Sequence, residues 1–260
     1  MNLIGNAQSQ SSKISIVLIL FLCFLSSSCT RNSEENPANE APNTFLWAWE
    51  NREDLRFFNP DVFGVAFLAQ SLFLEKNDVV LIPRRQPLKV SPETYLIAVT
   101  RIETRKAGNK PTLSAKQKDK LVSLLLKTAK LKKIKAIQLD FDVVKSERSF
   151  YRDVINDLRD RLPRKFDLTI TALASWCTDD RWFGDLPINE AIPMLFQMGN
   201  DKIRIRKMLS NKTDWKEPLC RKSYGLALNE PFERGLISNR RRFYFKSGSW
   251  QKSDLQKIKR

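Results

Sequence analysis

Histidine is missing from all 260 residues. Its absence removes Ser-His-Asp and Cys-His catalysis, His-ligated zinc and imidazole proton shuttling, and leaves acid-base chemistry to carboxylates, Lys, Tyr or Cys. Glycine is scarce, at 8 residues, and no GxGxxG or GxxxxGK[ST] run occurs. The backbone cradles that hold nucleotide phosphates, and hence a nucleotide cofactor, have no support. No cofactor of any kind is called for. Cysteine numbers only 4, without the C-x-x-C spacing of a metal site. No metal is implied, although an Asp-x-Asp pair has the oxygen ligands a hard cation prefers.

What is present begins with a targeting segment. Lys13 precedes the apolar run "ISIVLILFLCFL" (14–25), too short to span a bilayer as a helix, and Ser26, Ser27 and Ser28 follow. Residues 1–28 read as an export signal. Cys29, next in line, resembles the acylated cysteine of a bacterial lipobox, except that Ser26 stands where such motifs carry Leu. Either Cys29 is a lipid anchor or cleavage falls among the serines. Residues 29–43, polar and with two prolines, read as a flexible tether. The mature chain then keeps Cys177 and Cys220, an even number in an exported protein, which predicts a disulfide or else two buried thiols.

The formal charge is +16, from 45 basic and 29 acidic residues. For an exported chain the anions at hand are lipid headgroups and cell-wall or other anionic glycans, not nucleic acid. Solvated lysine-rich helix faces account for the same excess. The oligomeric state is not written in the sequence.

Strand-like apolar runs recur at 44–50, 64–70, 95–103, 136–142, 167–174, 193–198, 224–230 and 241–246, and "VVLIP" (79–83) is either a further strand or part of the second unit. Two helices intervene clearly. Ser114 and Gln117 fit a capping box before the stripe Leu121, Val122, Leu125, Leu126, Ala129. Ser146 is placed to cap a second helix, with stripe Tyr151, Val154, Ile155, Leu158, Leu162, which Pro163 stops. Strand, helix and strand over 136–174 make a right-handed βαβ unit. The pattern predicts an α/β fold: a single (β/α)8 TIM-like barrel over 44–250, irregular in its first third, with a basic tail at 251–260. An open α/β sheet is the alternative.

Barrel active sites lie at the C-terminal ends of the strands. In this chain those ends carry Glu50, Arg101, Glu103, Asp140, Asp142, Asn229 and Glu230. Period-2 alternation puts Gln138, Asp140 and Asp142 on one face. Two close carboxylates repel when ionised, so one keeps its proton to higher pH, which suits glycoside hydrolysis. We expect Asp140, Asp142 and Glu230 as acid, base or nucleophile, in a pocket shared with Glu103. Trp49 and Trp176, with Trp47, offer flat rings for sugar faces, and Glu50, Arg101, Glu103 and Asn229 complete a substrate-binding mouth. A structural account competes: Arg101 neutralising Asp140, and each Trp packed in the core.

The strings "WAWE", "RRQPL", "RIE", "QLDFD", "SERSFY", "TALASWC", "PMLFQMG" and "RRFYFKSGSW" resemble, as a set over residues 45 to 250, a bacterial family catalogued as domain of unknown function number 3142. The resemblance implies export and no particular reaction. A looser similarity is to glycoside hydrolase barrels. Chitinase-like enzymes carry D-x-x-D-x-D-x-E on the fourth strand, and "LDFDVV" matches only the inner D-x-D, with Ile137 and Val144 at the positions of the first Asp and the catalytic Glu. The expected function is that of an envelope glycoside hydrolase-like protein acting on or binding a polysaccharide, or a catalytically inactive glycan-binding lipoprotein.

Overall fold

The computed structural model describes residues 41–105, 108–232 and 235–258. The export signal, Cys29 and most of the tether lie outside them. Eight strands close a parallel barrel: β1 (Thr44–Ala48), β2 (Phe63–Glu75), β3 (Leu96–Thr104), β4 (Ile134–Phe141), β5 (Asp167–Leu173), β6 (Glu190–Met194), β7 (Ser223–Ala227) and β8 (Arg241–Phe245). Closure comes from β1, which pairs with β2 on one side and β8 on the other. A barrel leaves no free edge between its first and last strands, so the open-sheet alternative does not hold.

All eight expected strands occur. The sixth lies earlier than expected, because the apolar run Leu195–Met198 belongs to the loop after the strand. The "VVLIP" question resolves as a hairpin: Asp78–Pro83 returns antiparallel on β2, burying Val79 and leaving Leu81 and Ile82 exposed. With a two-stranded pairing of Glu53–Asp54 and Leu88–Lys89, this hairpin occupies the first third, where no helix forms among the described residues.

Helix α1 (Ala115–Thr128) follows β3. Ser114 caps it by accepting from the Gln117 amide at 3.4 Å. The Gln117 side chain accepts from the Leu113 amide and donates to the Asp78 carbonyl at 2.6 Å, tying the helix to the hairpin. Helix α2 (Arg148–Arg161) follows β4 through a 3-10 turn over Lys145–Glu147. Its entry is held by Glu147, whose Oε2 accepts from the Val144 amide at 3.1 Å, and not by Ser146, which is exposed. The Glu147 side chain reaches back over the 3-10 turn in which Ser146 itself lies. Leu162 is extended, as the residue before Pro163 must be. Helix α3 (Lys202–Ser210) follows β6. Residues read as a basic tail form α4 (Lys252–Ile258), which buries Leu255.

Two apolar layers result. Between strands and helices sit the stripes of α1 and α2, including Leu121, Leu125, Val154 and Leu158. The lumen is filled by Phe45, Trp47, Ile97, Val99, Ile192 and Phe243. Such large rings fit because small residues face them: a Cβ on Gly64 would lie 2.3 Å from the Phe45 ring, and one on Gly225 would lie 2.9 Å from Trp47. A bulge between Leu68 and Gln70 shifts the β2–β3 register. Beyond it the outward positions fall on Leu72 and Leu74 instead of Val65.

Candidate functional site

The C-terminal ends of the strands surround a cleft of about 440 Å³. Trp47 lines it from β1, Trp49 from the loop just after β1, Phe196 from the loop after β6, and Phe245 from β8. Phe196 and Phe245 stack with ring centroids 5.7 Å apart, and Trp49 meets Phe245 edge-on at 6.3 Å. Strand order sets β1 and β8 opposite β5 and β4, from which Thr171, Asp140 and Asp142 enter the same space; Arg101 enters from β3. One wall is aromatic and the other is polar.

Trp47 lies beneath both. It is 3% exposed, and its indole N–H donates to Gln138 Oε1 at 2.8 Å. The Gln138 amide donates in turn to Thr169 Oγ1. The loop carrying Trp49 is clamped by Arg84, whose guanidinium donates to the backbone carbonyls of Ala48, Trp49, Asn51 and Gln86.

Asp140, on β4, and Asp142, just beyond its end, line the same cleft but differ in setting. Asp142 is exposed. Asp140 is recessed: burial pushes its carboxyl up to about 6, opposed by the Thr171 hydroxyl that donates to its Oδ1 at 2.6 Å, with the negative charge of Asp142 adding to the rise. Arg101 does not neutralise it by contact, since that guanidinium pairs with Glu103 at 2.9 Å. At neutral pH Asp140 keeps a small protonated fraction beside an exposed carboxylate.

The other expected site residues divide. Glu230 does not line the cleft. Its carboxylate accepts from the Gln197 amide at 3.0 Å and pairs with Lys202 at 2.8 Å, and these two contacts hold it below its usual range. It stands behind the loop after β6 and is fixed as an anion. Glu103 is held by Arg101 and, like the exposed Glu50 and Asn229, is not among the lining residues. Trp176 is 4% exposed and packs edge-on against Trp182 in the outer layer. A pocket uniting Asp140, Asp142, Glu103 and Glu230 does not form.

The loop after β6 supplies what the sequence reading missed: Phe196, Gln197, Met198, Gly199 and Asp201. Gln197 has φ 50° and Gly199 φ 53°, so a non-glycine residue holds a left-handed backbone at the cleft wall. Asp201 faces the cleft while paired with Arg204 at 2.8 Å. A strand-end apolar run longer than its strand was the available signal. Cys177 and Cys220 form a disulfide, Cα atoms 5.9 Å apart, joining the turn after β5 to the turn before β7. Among the described residues no cluster of His, Cys, Asp or Glu has metal-holding geometry, and no helix is long and apolar enough to cross a membrane.

Fold and cleft together define an α/β protein of the (β/α)8 class with its candidate site at the usual barrel mouth. No family model and no curated protein matches the chain. Among solved structures it is similar to the spore cortex-lytic enzyme SleL of Bacillus cereus, with a TM-score of 0.47 and 14% identity. The match covers 72% of this chain and 51% of that one, so the chain spans about half of its structural neighbour.

Proposed function

We propose that the protein is an exported, envelope-associated member of the family its motifs resemble, and that its barrel mouth binds a polysaccharide or cell-wall glycan. The observation that carries this is the two-walled cleft. Pyranose rings have apolar C–H faces and polar edges. Trp49, Phe245 and Phe196 suit the faces, while Asp140, Asp142 and Arg101 suit the hydroxyls. A left-handed Gln197 in the cleft wall is the kind of strain that functional sites retain.

Hydrolysis is the second reading, favoured by one observation: the recessed Asp140 with its raised pKa beside Asp142. Its weakness is placement. Two-carboxylate hydrolysis flanks the scissile bond with acids about 5 to 10 Å apart, whereas Asp140 and Asp142 share one wall at the end of β4, Asp201 is paired with Arg204, and Glu230 is engaged by Lys202. Val144, at the position of the catalytic Glu in chitinase-like enzymes, is 56% exposed and offers no proton.

The experiment is a screen of the purified mature protein against envelope and dietary polysaccharides, reading both retention and reducing ends. Retention without reducing ends is expected, reduced about tenfold by Trp49→Ala at unchanged thermal stability. Reducing ends that vanish in Asp142→Asn would establish the hydrolase instead. Failure to bind any of the polymers would end both readings.

A further inference from the structure

The end of the barrel opposite the cleft has a chemistry of its own, which does not rest on the glycan reading. The loops entering β4 and β5 lie side by side, since Ala136 pairs with Asp167. They present Lys130, Lys132, Lys133, Arg164 and Lys165, all exposed. None of the five makes an ion pair among the described residues, and the exposed acids on these and the neighbouring β3 entry are Glu93, Asp160 and Asp167. Five cations against three carboxylates leave the surface positive. In its midst Leu131 is 44% exposed, flanked on both sides by lysine. Lys133 holds φ 67°, a left-handed residue at the turn where this loop enters β4.

A solvated lysine face needs no apolar residue at its centre. Two observations point to a particular surface. Basic residues around an exposed leucine match an interface that is anionic in its outer layer and apolar just beneath, which a lipid leaflet offers and a soluble polyanion does not. The chain also enters the barrel at this same end, through Ala41–Asn43 into β1. In a chain anchored through its N-terminal segment, as the proposed envelope association implies, this end is the one nearest in sequence to the anchor.

We propose that this end of the barrel rests on an anionic lipid surface, with the five basic side chains among headgroup phosphates and Leu131 in the interfacial layer. The cleft then faces away from the membrane. Each basic residue near an anionic leaflet contributes severalfold to partitioning, and salt screens the effect.

The test uses the mature chain carrying Cys29→Ser, so that no acyl chain contributes, in co-sedimentation with phosphatidylcholine vesicles with and without phosphatidylglycerol. Binding is expected only where phosphatidylglycerol is present, and it weakens as salt is raised. The variant K130E/K132E/K133E/R164E should lose at least about tenfold in partitioning while melting as the parent does, and Leu131→Ser should lose severalfold with no change in charge. Absence of binding to either vesicle, equal binding to both, or undiminished binding by the charge-reversed variant would overturn the proposal.

Discussion

Trp47 on β1 spans the lumen to Gln138 on β4, the indole N–H donating to the amide oxygen at 2.8 Å between two side chains that solvent hardly reaches. The bond joins opposite sides of the barrel directly under the candidate site. It holds the floor ring while leaving the Gln138 amide to Thr169.

Gln138→Leu should therefore destabilise the protein by roughly 1 to 3 kcal/mol, because it leaves a buried indole donor without an acceptor. Urea unfolding measures this. Trp47→Phe in the same background removes the orphaned donor, so the two substitutions should cost less together than their sum.

Asp140 gives a pH signature. Its folded carboxyl titrates at about 6 against an ordinary 3.8. Between those values the unfolded chain has released the proton that the folded chain keeps. This group's contribution to stability therefore falls as pH rises through the window, by roughly 3 kcal/mol in all. Asp140→Asn cannot titrate and still accepts from Thr171. Relative to wild type, the variant should gain stability progressively from about pH 4 to pH 7, read from urea midpoints at each pH. A gain that runs the other way would mark Asp140 as an ion-paired carboxylate.

Glu230 should behave oppositely. Its pKa is lowered by the Gln197 amide and by Lys202, so its contribution is present above the ordinary carboxylate range and is lost as pH falls through its folded value. Since Lys202 is 45% exposed, Glu230→Gln should cost no more than about 1 kcal/mol at neutral pH. Any glycan retention should survive it; a complete loss of retention with the fold intact would return Glu230 to the site.

The disulfide closes a loop between residues 43 apart in sequence. Replacing Cys177 and Cys220 together by Ser should cost about 2 to 5 kcal/mol, seen as a lowered melting temperature that a reductant reproduces in the wild-type protein. The lining residues Ser175 and Ala174 lie just before Cys177, so the cleft wall on β5 should loosen as well.

How much of this was legible in the sequence follows from the kind of signal each feature leaves. Strand existence was legible, because a barrel strand buried on both faces reads as an apolar run, and the stripes of α1 and α2 have helical period. Asp140 and Asp142 were legible as cleft residues by alternation from Gln138. Glu230 was misplaced because a strand-end acid looks the same whether it faces the mouth or a neighbouring lysine, and Lys202 comes from the start of a different element, α3. Trp176 carried no mark to separate a stacking platform from a core ring. Phe245 and Phe196 were passed over as strand hydrophobics, since nothing local shows that two rings 49 positions apart stack. The lumen glycines Gly64 and Gly225 are equally silent alone. Each has meaning only against Phe45 or Trp47, which reach them from other strands.

Pairing of β1 with β8 also dictates an order of assembly. Thr44–Leu46 find their second partner only at Arg242–Tyr244, almost the whole folded chain later. Until that last strand arrives, Phe45 lacks the Phe243 ring it stacks on at 4.8 Å, and both flanks of the growing sheet are unpaired. Contacts so distant in sequence form slowly. A chain ending short of residue 241 would therefore have no seam to close and would expose two strand edges to other chains, so that its C-terminal truncations should aggregate, not merely lose stability.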